Sequence, residues 1–394
     1  MALEEGRATR VAEALDISQI EDRRDAGLAR ELAVGAVRYQ RLYDAMCKPH
    51  LRGDQRPPPL LAALRIGAHQ LFALDRIPVH AAISTGVGAL GGRSAGLRGV
   101  VNAVLRRLSE IRLDERGLQP GPLGRIPEAL WPIGLGERHS LPDALIRDLQ
   151  DIAPGDEDAA FGALNLVPPL CTRLRPGAEI DHPAVIRRDG NFLWWRDPAA
   201  AIATAVRPGH AVVQDRAQAS LLELADAKPG QLVLDCCAAP GGKSRYLSDL
   251  GCKVVAADLV PSKLGRLVQG LGERPRVACH DARRPCFMPG FDLVVVDAPC
   301  SNSGVVARRP EARWRYGAAG LSDLERLQTA ILVAASRLVS RSGRLLYTTC
   351  SLSPRENTDR IAALPGWRVV SERLVWPDGW NGGGYGALLE RTTS

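Results

Sequence analysis

Two cysteines stand where a side chain could do chemistry rather than fill space. Leu293-Val294-Val295-Val296 runs into Asp297-Ala298-Pro299-Cys300-Ser301-Asn302-Ser303-Gly304, and Leu345-Leu346-Tyr347-Thr348 runs into Thr349-Cys350-Ser351. Both apolar runs read as buried strands, and both cysteines follow the strand ends, where a reactive thiol can be reached. Two thiols beside an acid suit the methylation of carbon-5 of a cytosine, which is a poor nucleophile. A thiolate added to carbon-6 turns the ring into an enamine that can attack a methyl sulfonium. A base must then remove the carbon-5 proton so that the thiolate can leave. One thiolate suffices for the attack and a second could assist release. Asp297 could hydrogen-bond the amino and imino groups of the ring. A redox pair is the rival reading, but two separate loops match the usual C-x-x-C arrangement poorly.

A cofactor site is readable upstream. After the strand Leu232-Val233-Leu234-Asp235 comes Cys236-Cys237-Ala238-Ala239-Pro240-Gly241-Gly242-Lys243-Ser244. A Gly-rich turn between strand and helix lets backbone approach a ligand at the carboxyl end of a sheet. Gly242-Lys243-Ser244 imitates the end of a phosphate-binding loop, but that pattern needs Gly where this chain has Cys237, which disfavours an NTPase. The next strand ends in Asp258, suited to a ribose diol, and Asp281 follows Val277-Ala278-Cys279-His280, where it could accept from an adenine amino group. Either acid alone reads better as a helix cap or loop residue. Together with the turn they point to S-adenosylmethionine more than to a dinucleotide.

These residues need a scaffold, and its periodicities are legible. From Gln214 onward strands (Leu232–Asp235, Val254–Ala257, Leu293–Val296, Leu345–Thr348) alternate with helical segments, notably Leu324 to Val339. Continuous apolar strands separated by helices imply a parallel sheet covered on both faces. The front of the chain is helical instead. Arg30 to Arg38, Leu60 to Leu71, the stretch from Pro78 through Ile83, and Val100 to Leu108 repeat apolar residues at three- and four-residue steps. Gly117 to Pro132 reads as a linker, and Asn191-Phe192-Leu193-Trp194-Trp195 reads as strand-like within a small mixed region. The expected architecture is multidomain: an all-α bundle over 1–125, a connecting domain over 126–210 and an α/β Rossmann-like domain over 211–394.

Composition sets the outer limits. A chain of 394 residues, 45% hydrophobic and 24% charged, has room for more than one core. No apolar run approaches the ~20 residues of a membrane span, and the charged start lacks the apolar stretch of a secretory signal. A cytoplasmic protein without membrane contact, and a monomer, is expected. Nine cysteines, an odd number without a C-x-x-C pair, argue against a disulfide framework and against zinc, so no metal is expected. Cys47, Cys171, Cys252, Cys279 and Cys286 read as small packed hydrophobes. The net charge of +7 favours a polyanionic partner, weakly by itself. Arg308-Arg309-Pro310-Glu311-Ala312-Arg313-Trp314-Arg315 places arginines around a tryptophan, which suits phosphate contact and base stacking on single-stranded RNA. A solvated basic loop is the bland alternative, and closeness to Cys300 favours the RNA reading for Arg308, Arg309, Arg313 and Trp314.

Cys237-Ala238-Ala239-Pro240-Gly241-Gly242-Lys243, Asp297-Ala298-Pro299-Cys300-Ser301 and Thr349-Cys350-Ser351 resemble the signatures of the NOL1/NOP2/Sun RNA cytosine-carbon-5 methyltransferases. The resemblance implies Cys350 as nucleophile and Cys300 as the residue that assists product release. It places the turn with Asp258, Asp281 and Asp297 around S-adenosylmethionine. Leu64 to Leu71, Asp75 to Ala82 and Val101 to Arg107 look like the NusB-like helical domain of the bacterial RsmB (Sun, Fmu) branch, which implies small-subunit (16S) ribosomal RNA as substrate. Three departures stand out: Arg309 where His is usual, Asn302-Ser303 for Gly-Thr, and Gly383-Gly384-Tyr385 for Asp-Gly-aromatic. The rivals are a transfer-RNA cytosine methyltransferase and an antitermination-like RNA-binding protein whose catalytic half has lapsed. The helical front argues against the first, and the retention of both cysteines and the whole turn against the second.

Overall fold

The computed structural model describes residues 20–53, 56–114, 134–271 and 276–392, with the isolated positions 11, 15, 130 and 132. Contacts divide the chain into two compact units, one of residues 1–165 with 309–315 and one of residues 166–308 with 316–394. The linker expected over Gly117 to Pro132 lies almost wholly outside the described residues.

The first unit is helical. Its main helices are Arg23–Arg38, Gln40–Cys47, Pro58–Ala73, Val79–Gly88 and Arg98–Asp114, so all four expected helical stretches are helices. Local chemistry starts them. Asp22 accepts a hydrogen bond from the Arg24 N–H at 2.6 Å, and Pro58 occupies a first-turn position that has no use for an N–H. Their inner faces bury Leu42, Tyr43, Leu64, Leu71, Phe72, Val101, Leu105 and Leu108 in one core. At about 25 cal/mol per Å² of apolar surface, such burial dominates the stability of this unit. His69 enters the same core and is satisfied there, with Nδ1 2.8 Å from the Tyr43 hydroxyl and Nε2 3.3 Å from Glu31. That contact also holds the Glu31 carboxyl below its usual value.

The second unit holds two sheets. A small antiparallel sheet contains β1 (Leu170–Leu174), β2 (Val185–Asp189), β3 (Phe192–Trp195) and β4 (Ala211–Val213) in the order β2-β3-β1-β4. The large sheet contains β5 (Leu232–Asp235), β6 (Lys253–Asp258), β7 (Arg276–Cys279), β8 (Phe291–Asp297), β9 (Val339–Thr349), β10 (Trp367–Val375) and β11 (Gly384–Arg391). Its order is β10-β11-β9-β8-β5-β6-β7. Strands β7 to β9 through β5 and β6 pair in parallel, and β11 pairs antiparallel with both β9 and β10. This is the doubly wound, Rossmann-like arrangement expected of the C-terminal half. From β5 the chain moves one way to β6 and β7, then returns to the other side at β8, and ligands bind at the carboxyl ends of strands flanking such a switch point.

Three expectations need correction. Contacts divide the connecting domain expected over 126–210, because the helices Leu135–Arg138, Asp143–Leu149 and Glu157–Ala163 join the first unit and the small sheet joins the second. Cys279 and Cys286 are exposed rather than packed, whereas Cys47, Cys171 and Cys252 are buried. Arg313 is fully buried in the first unit. Its Nη1 donates to Arg38 O at 3.0 Å, Ser140 O at 3.1 Å and Asn165 Oδ1 at 2.7 Å. Trp314 Nε1 donates to Val37 O at 2.7 Å. Carbonyl groups left over at helix ends and turns demand a donor when buried, and these side chains supply it, so Arg313 and Trp314 act here as a structural clasp.

Replacing Arg313 by Ala strands those acceptors in a dry site, and a loss of about 2–4 kcal/mol is expected. Thermal unfolding followed by far-ultraviolet circular dichroism would show it as a lowered midpoint. An unchanged midpoint would mean that the guanidinium contributes nothing net.

Candidate active site

Strand register brings the two cysteines together. In the β8–β9 pair Asp297 lies opposite Thr348, so Cys300 and Cys350 follow adjacent strand ends at the carboxyl edge. They are hydrogen-bonded to one another, and this bond is the main reason that the Cys300 thiol is held well above its ordinary value. Burial and the negative charges of Cys350 and Glu356 push it the same way. The Cys300 thiol is thus held in its protonated form by its surroundings.

The chain locks both loops. The Gly304 N–H donates to Cys350 O at 2.9 Å, and the Gly383 N–H donates to Gly304 O at 2.6 Å. A Cβ on Gly304 would lie 2.6 Å from the Gly383 carbonyl carbon and 3.0 Å from Cys350 O, so only glycine permits this approach. Asn302 has φ 62°, a left-handed conformation that Asn tolerates, and its Nδ2 donates to Cys300 O at 2.9 Å. The departure at Asn302 thus keeps the turn that a glycine would make. The Leu352 N–H donates to Ser303 Oγ at 2.9 Å, tying one cysteine loop to the other. Ser301 and Ser351 converge on Glu356, which is fully buried.

A cation sits among these groups. Lys243 Nζ lies 2.7 Å from Asp297 Oδ2 and donates to Gln218 Oε1 at 3.2 Å. Asp297 Oδ1 accepts from Thr348 Oγ1 at 3.1 Å. Although burial opposes its charge, Lys243 is held protonated beyond the usual lysine range by Asp297, Cys350 and Asp235. A positive charge beside Cys350 favours its thiolate in return. Lys243 was expected with the cofactor turn, and the structure places it against Asp297 as well. Cys237 is no rival nucleophile, because burial pushes its thiol well above the ordinary range.

The turn is built to face a ligand. Helix Gly242–Asp249 begins from Gly241 at φ 110°, a left-handed conformation that favours glycine. A Cβ on Gly242 would meet nothing within 4 Å, so the turn is open on that side. Behind it, Ser244 Oγ donates to Asp235 Oδ2 at 2.6 Å, and burial pushes the Asp235 carboxyl up to about 6. Arg173 Nε donates to Gln214 Oε1 at 2.6 Å and Gln214 Nε2 donates to Gly242 O at 3.3 Å, so the small sheet buttresses the turn. Asp258 ends β6 and accepts from the Ala239 N–H at 3.0 Å and the Val260 N–H at 3.1 Å. A carboxylate has about four lone-pair sites, so Asp258 retains capacity for a diol. The N–H groups at the helix start suit a carboxylate. Turn, acid and helix start therefore fit S-adenosylmethionine. Asp281 is engaged by Arg283, whose Nη2 approaches at 2.6 Å and holds the carboxyl down to about 2.

Of the residues expected to touch RNA, Arg313 has no exposed surface to offer, and Trp314 is half-buried with its N–H engaged. Arg308 donates to Asp215 Oδ2 at 2.5 Å and to Pro169 O at 3.1 Å, while Arg309 is exposed. The composition argument missed this because a guanidinium serves a buried carbonyl as well as a phosphate. It missed Glu356 for a similar reason, since an acid after Ser353-Pro354-Arg355 reads as a solvated turn. Among the described residues no helix is long and apolar enough to cross a membrane, and no group of three or more His, Cys, Asp or Glu side chains is placed to hold a metal ion.

Known proteins share this arrangement. Residues 221–371 match the model of the family described as 16S rRNA methyltransferase RsmB/F, and residues 2–110 match the NusB family. The ribosomal RNA small subunit methyltransferase B of Vibrio vulnificus is 31% identical, over 91% of this chain and 87% of its own. The Pseudomonas putida protein of that name is 32% identical, over 87% of this chain and 81% of its own. A solved structure titled "Crystal Structure of PH0851" has a TM-score of 0.73 and covers 97% of this chain and 96% of its own at 24% identity, a likeness of fold. With the Gly-rich turn and the cysteine pair in place, the chain belongs to the RsmB/Sun family of S-adenosylmethionine-dependent ribosomal RNA methyltransferases.

Proposed function

We propose that the protein methylates carbon-5 of a cytosine in small-subunit (16S) ribosomal RNA through a covalent adduct with Cys350. The observation that carries this reading is the pair of hydrogen-bonded thiols at the ends of β8 and β9, with Cys300 bearing the proton and Lys243 beside Cys350. Enzymes that only position a nucleophilic oxygen or nitrogen need no thiol, whereas an unreactive ring carbon does. The relatives' printed names supply the RNA.

S-Adenosylmethionine, when bound at the turn, supplies an electrophilic methyl group on a sulfonium. The chain's own groups do the rest. Asp297, held by Lys243 and Thr348, orients the ring through its amino and imino edge. The Cys350 thiolate adds to carbon-6, which makes carbon-5 the nucleophile. After carbon-5 has gained the methyl group, its proton must leave for a base. The electron pair then reforms the 5,6 double bond and expels Cys350. Cys300, in contact with Cys350, assists this elimination.

The test is methyl transfer to small-subunit ribosomal RNA from labelled S-adenosylmethionine, with 5-methylcytosine identified in the digested product. Cys350→Ala is expected to lose on the order of 10⁴-fold or more in rate and to form no protein–RNA adduct. Cys300→Ala is expected to accumulate that adduct, visible as a shifted band on a denaturing gel. Turnover by Cys350→Ala would sink the nucleophile assignment, and product from transfer RNA alone would replace the substrate.

Lys243→Met removes the charge that favours the Cys350 thiolate. The acid limb of its kcat/KM profile is therefore expected to move up by about one pH unit, because the thiolate forms less readily. An unmoved limb would show that Lys243 has no electrostatic hold on the nucleophile.

A further inference from the structure

The residues that follow the two cysteines share one partner. Glu356 ends the short turn Pro354–Glu356 and is fully buried. Its Oε1 accepts from the Ser301 N–H at 2.8 Å and from Gln328 Nε2 at 3.0 Å. Its Oε2 accepts from Ser301 Oγ and Ser351 Oγ, both at 2.5 Å. None of these donors is a cation. Burying a carboxylate on neutral donors alone is a costly way to hold a loop, and a glutamine or an apolar side chain would be the ordinary solution. Gln328 also donates to Pro299 O at 2.9 Å, so the residue before Cys300 is held by the same cluster. On the other side Thr349 Oγ1 donates to Asn357 Oδ1 at 2.7 Å, and Asn357 Nδ2 donates to Ser351 O at 3.0 Å.

We propose that Glu356 is a positioning residue for the methyl-transfer reaction: through Ser301 and Ser351 its carboxylate clamps the Cys300 and Cys350 loops together, so that the two thiols stay hydrogen-bonded. The proposal rests on the catalytic reading above. The negative charge has a second effect, on protons. Cys300 faces Cys350 from the end of β9, Glu356 from the following turn and Tyr347 from within β9. Lys243, paired with Asp297, interacts electrostatically with Cys350. The hydrogen bond with Cys350, burial and the neighbouring Glu356 carboxylate all hold the Cys300 thiol above its ordinary value.

Glu356→Gln keeps the size of the side chain and one acceptor but removes the charge. Its kcat is expected to fall about tenfold with KM for cofactor and RNA within about twofold, since chemistry rather than binding is disturbed. The alkaline limb of kcat is expected to move to lower pH, because Cys300 loses a neighbouring negative charge. Glu356→Ala is expected to lose about 100-fold or more in kcat. If that variant does not fold, Glu356→Gln and Ser351→Ala carry the test. Wild-type kcat with a wild-type pH profile in Glu356→Gln would overturn the proposal. So would a parallel loss of cofactor binding, which marks a merely structural role. Alkylation of Cys350 by iodoacetamide, read by mass spectrometry, needs no turnover. In Ser351→Ala, which opens the clamp and keeps the charge, it is expected to slow several-fold at neutral pH as Cys300 ceases to donate to Cys350. An unchanged rate would refute the clamp whatever the substrate proves to be. An inactive wild type with slowed alkylation in the variant would refute the cytosine reading and keep the clamp.

Discussion

The site depends on the register between β8 and β9. Parallel strands have no hairpin to set their alignment, so pairing is fixed by which side chains face the helices and which face the opposite layer. Pairing Asp297 with Thr348 brings Cys300 and Cys350 to one edge, although fifty residues and the helix Ala318–Ser336 separate them. Val294, Val296, Leu345 and Tyr347 pack into one buried layer and Leu293, Val295 and Leu346 into the other, so both faces of this strand pair are core. The strand ends that carry the two cysteines are therefore anchored in packed core on both faces of the sheet.

Around that register the charges are distributed unequally. Lys243, anchored by Gln218 and Asp297, lies on the side of Cys350. Glu356, fed by two serines, a backbone N–H and Gln328, lies between the two cysteine loops and acts on Cys300. Two identical thiols in contact would share a proton without preference. Lys243 acts on Cys350 and the Glu356 carboxylate acts on Cys300, and a thiolate is favoured by positive charge and disfavoured by negative charge. The same Lys243 stands in the first turn of the helix that follows the Gly-rich turn, so one element reaches both the cofactor turn and Asp297.

How much was legible follows from the range of each interaction. The strands around Val294 and Leu346 and the helices around Leu64 and Leu105 announce themselves because burial imposes a period within a dozen residues. The Gly-rich turn is legible because its conformational demand at Gly241 is local. Asn302 shows the same locality: its left-handed conformation is one that Asn tolerates, as Gly does. Arg313 marks the limit. Its neighbours Arg308, Arg309 and Trp314 read as a nucleic-acid surface, and only the fold shows that the carbonyls of Arg38 and Ser140 lie within its reach.

By itself the sequence determined the class of chemistry, the cofactor turn and the alternation of strands and helices, since each rests on residue types at short spacing. The tertiary structure alone decided that the two thiols are hydrogen-bonded, which arginine is a clasp, and that Glu356 joins the two cysteine loops. Those outcomes depend on burial and on distances of about 3 Å between residues far apart in the chain, and hydrogen bonding and desolvation at that scale leave no periodic trace in the order of amino acids.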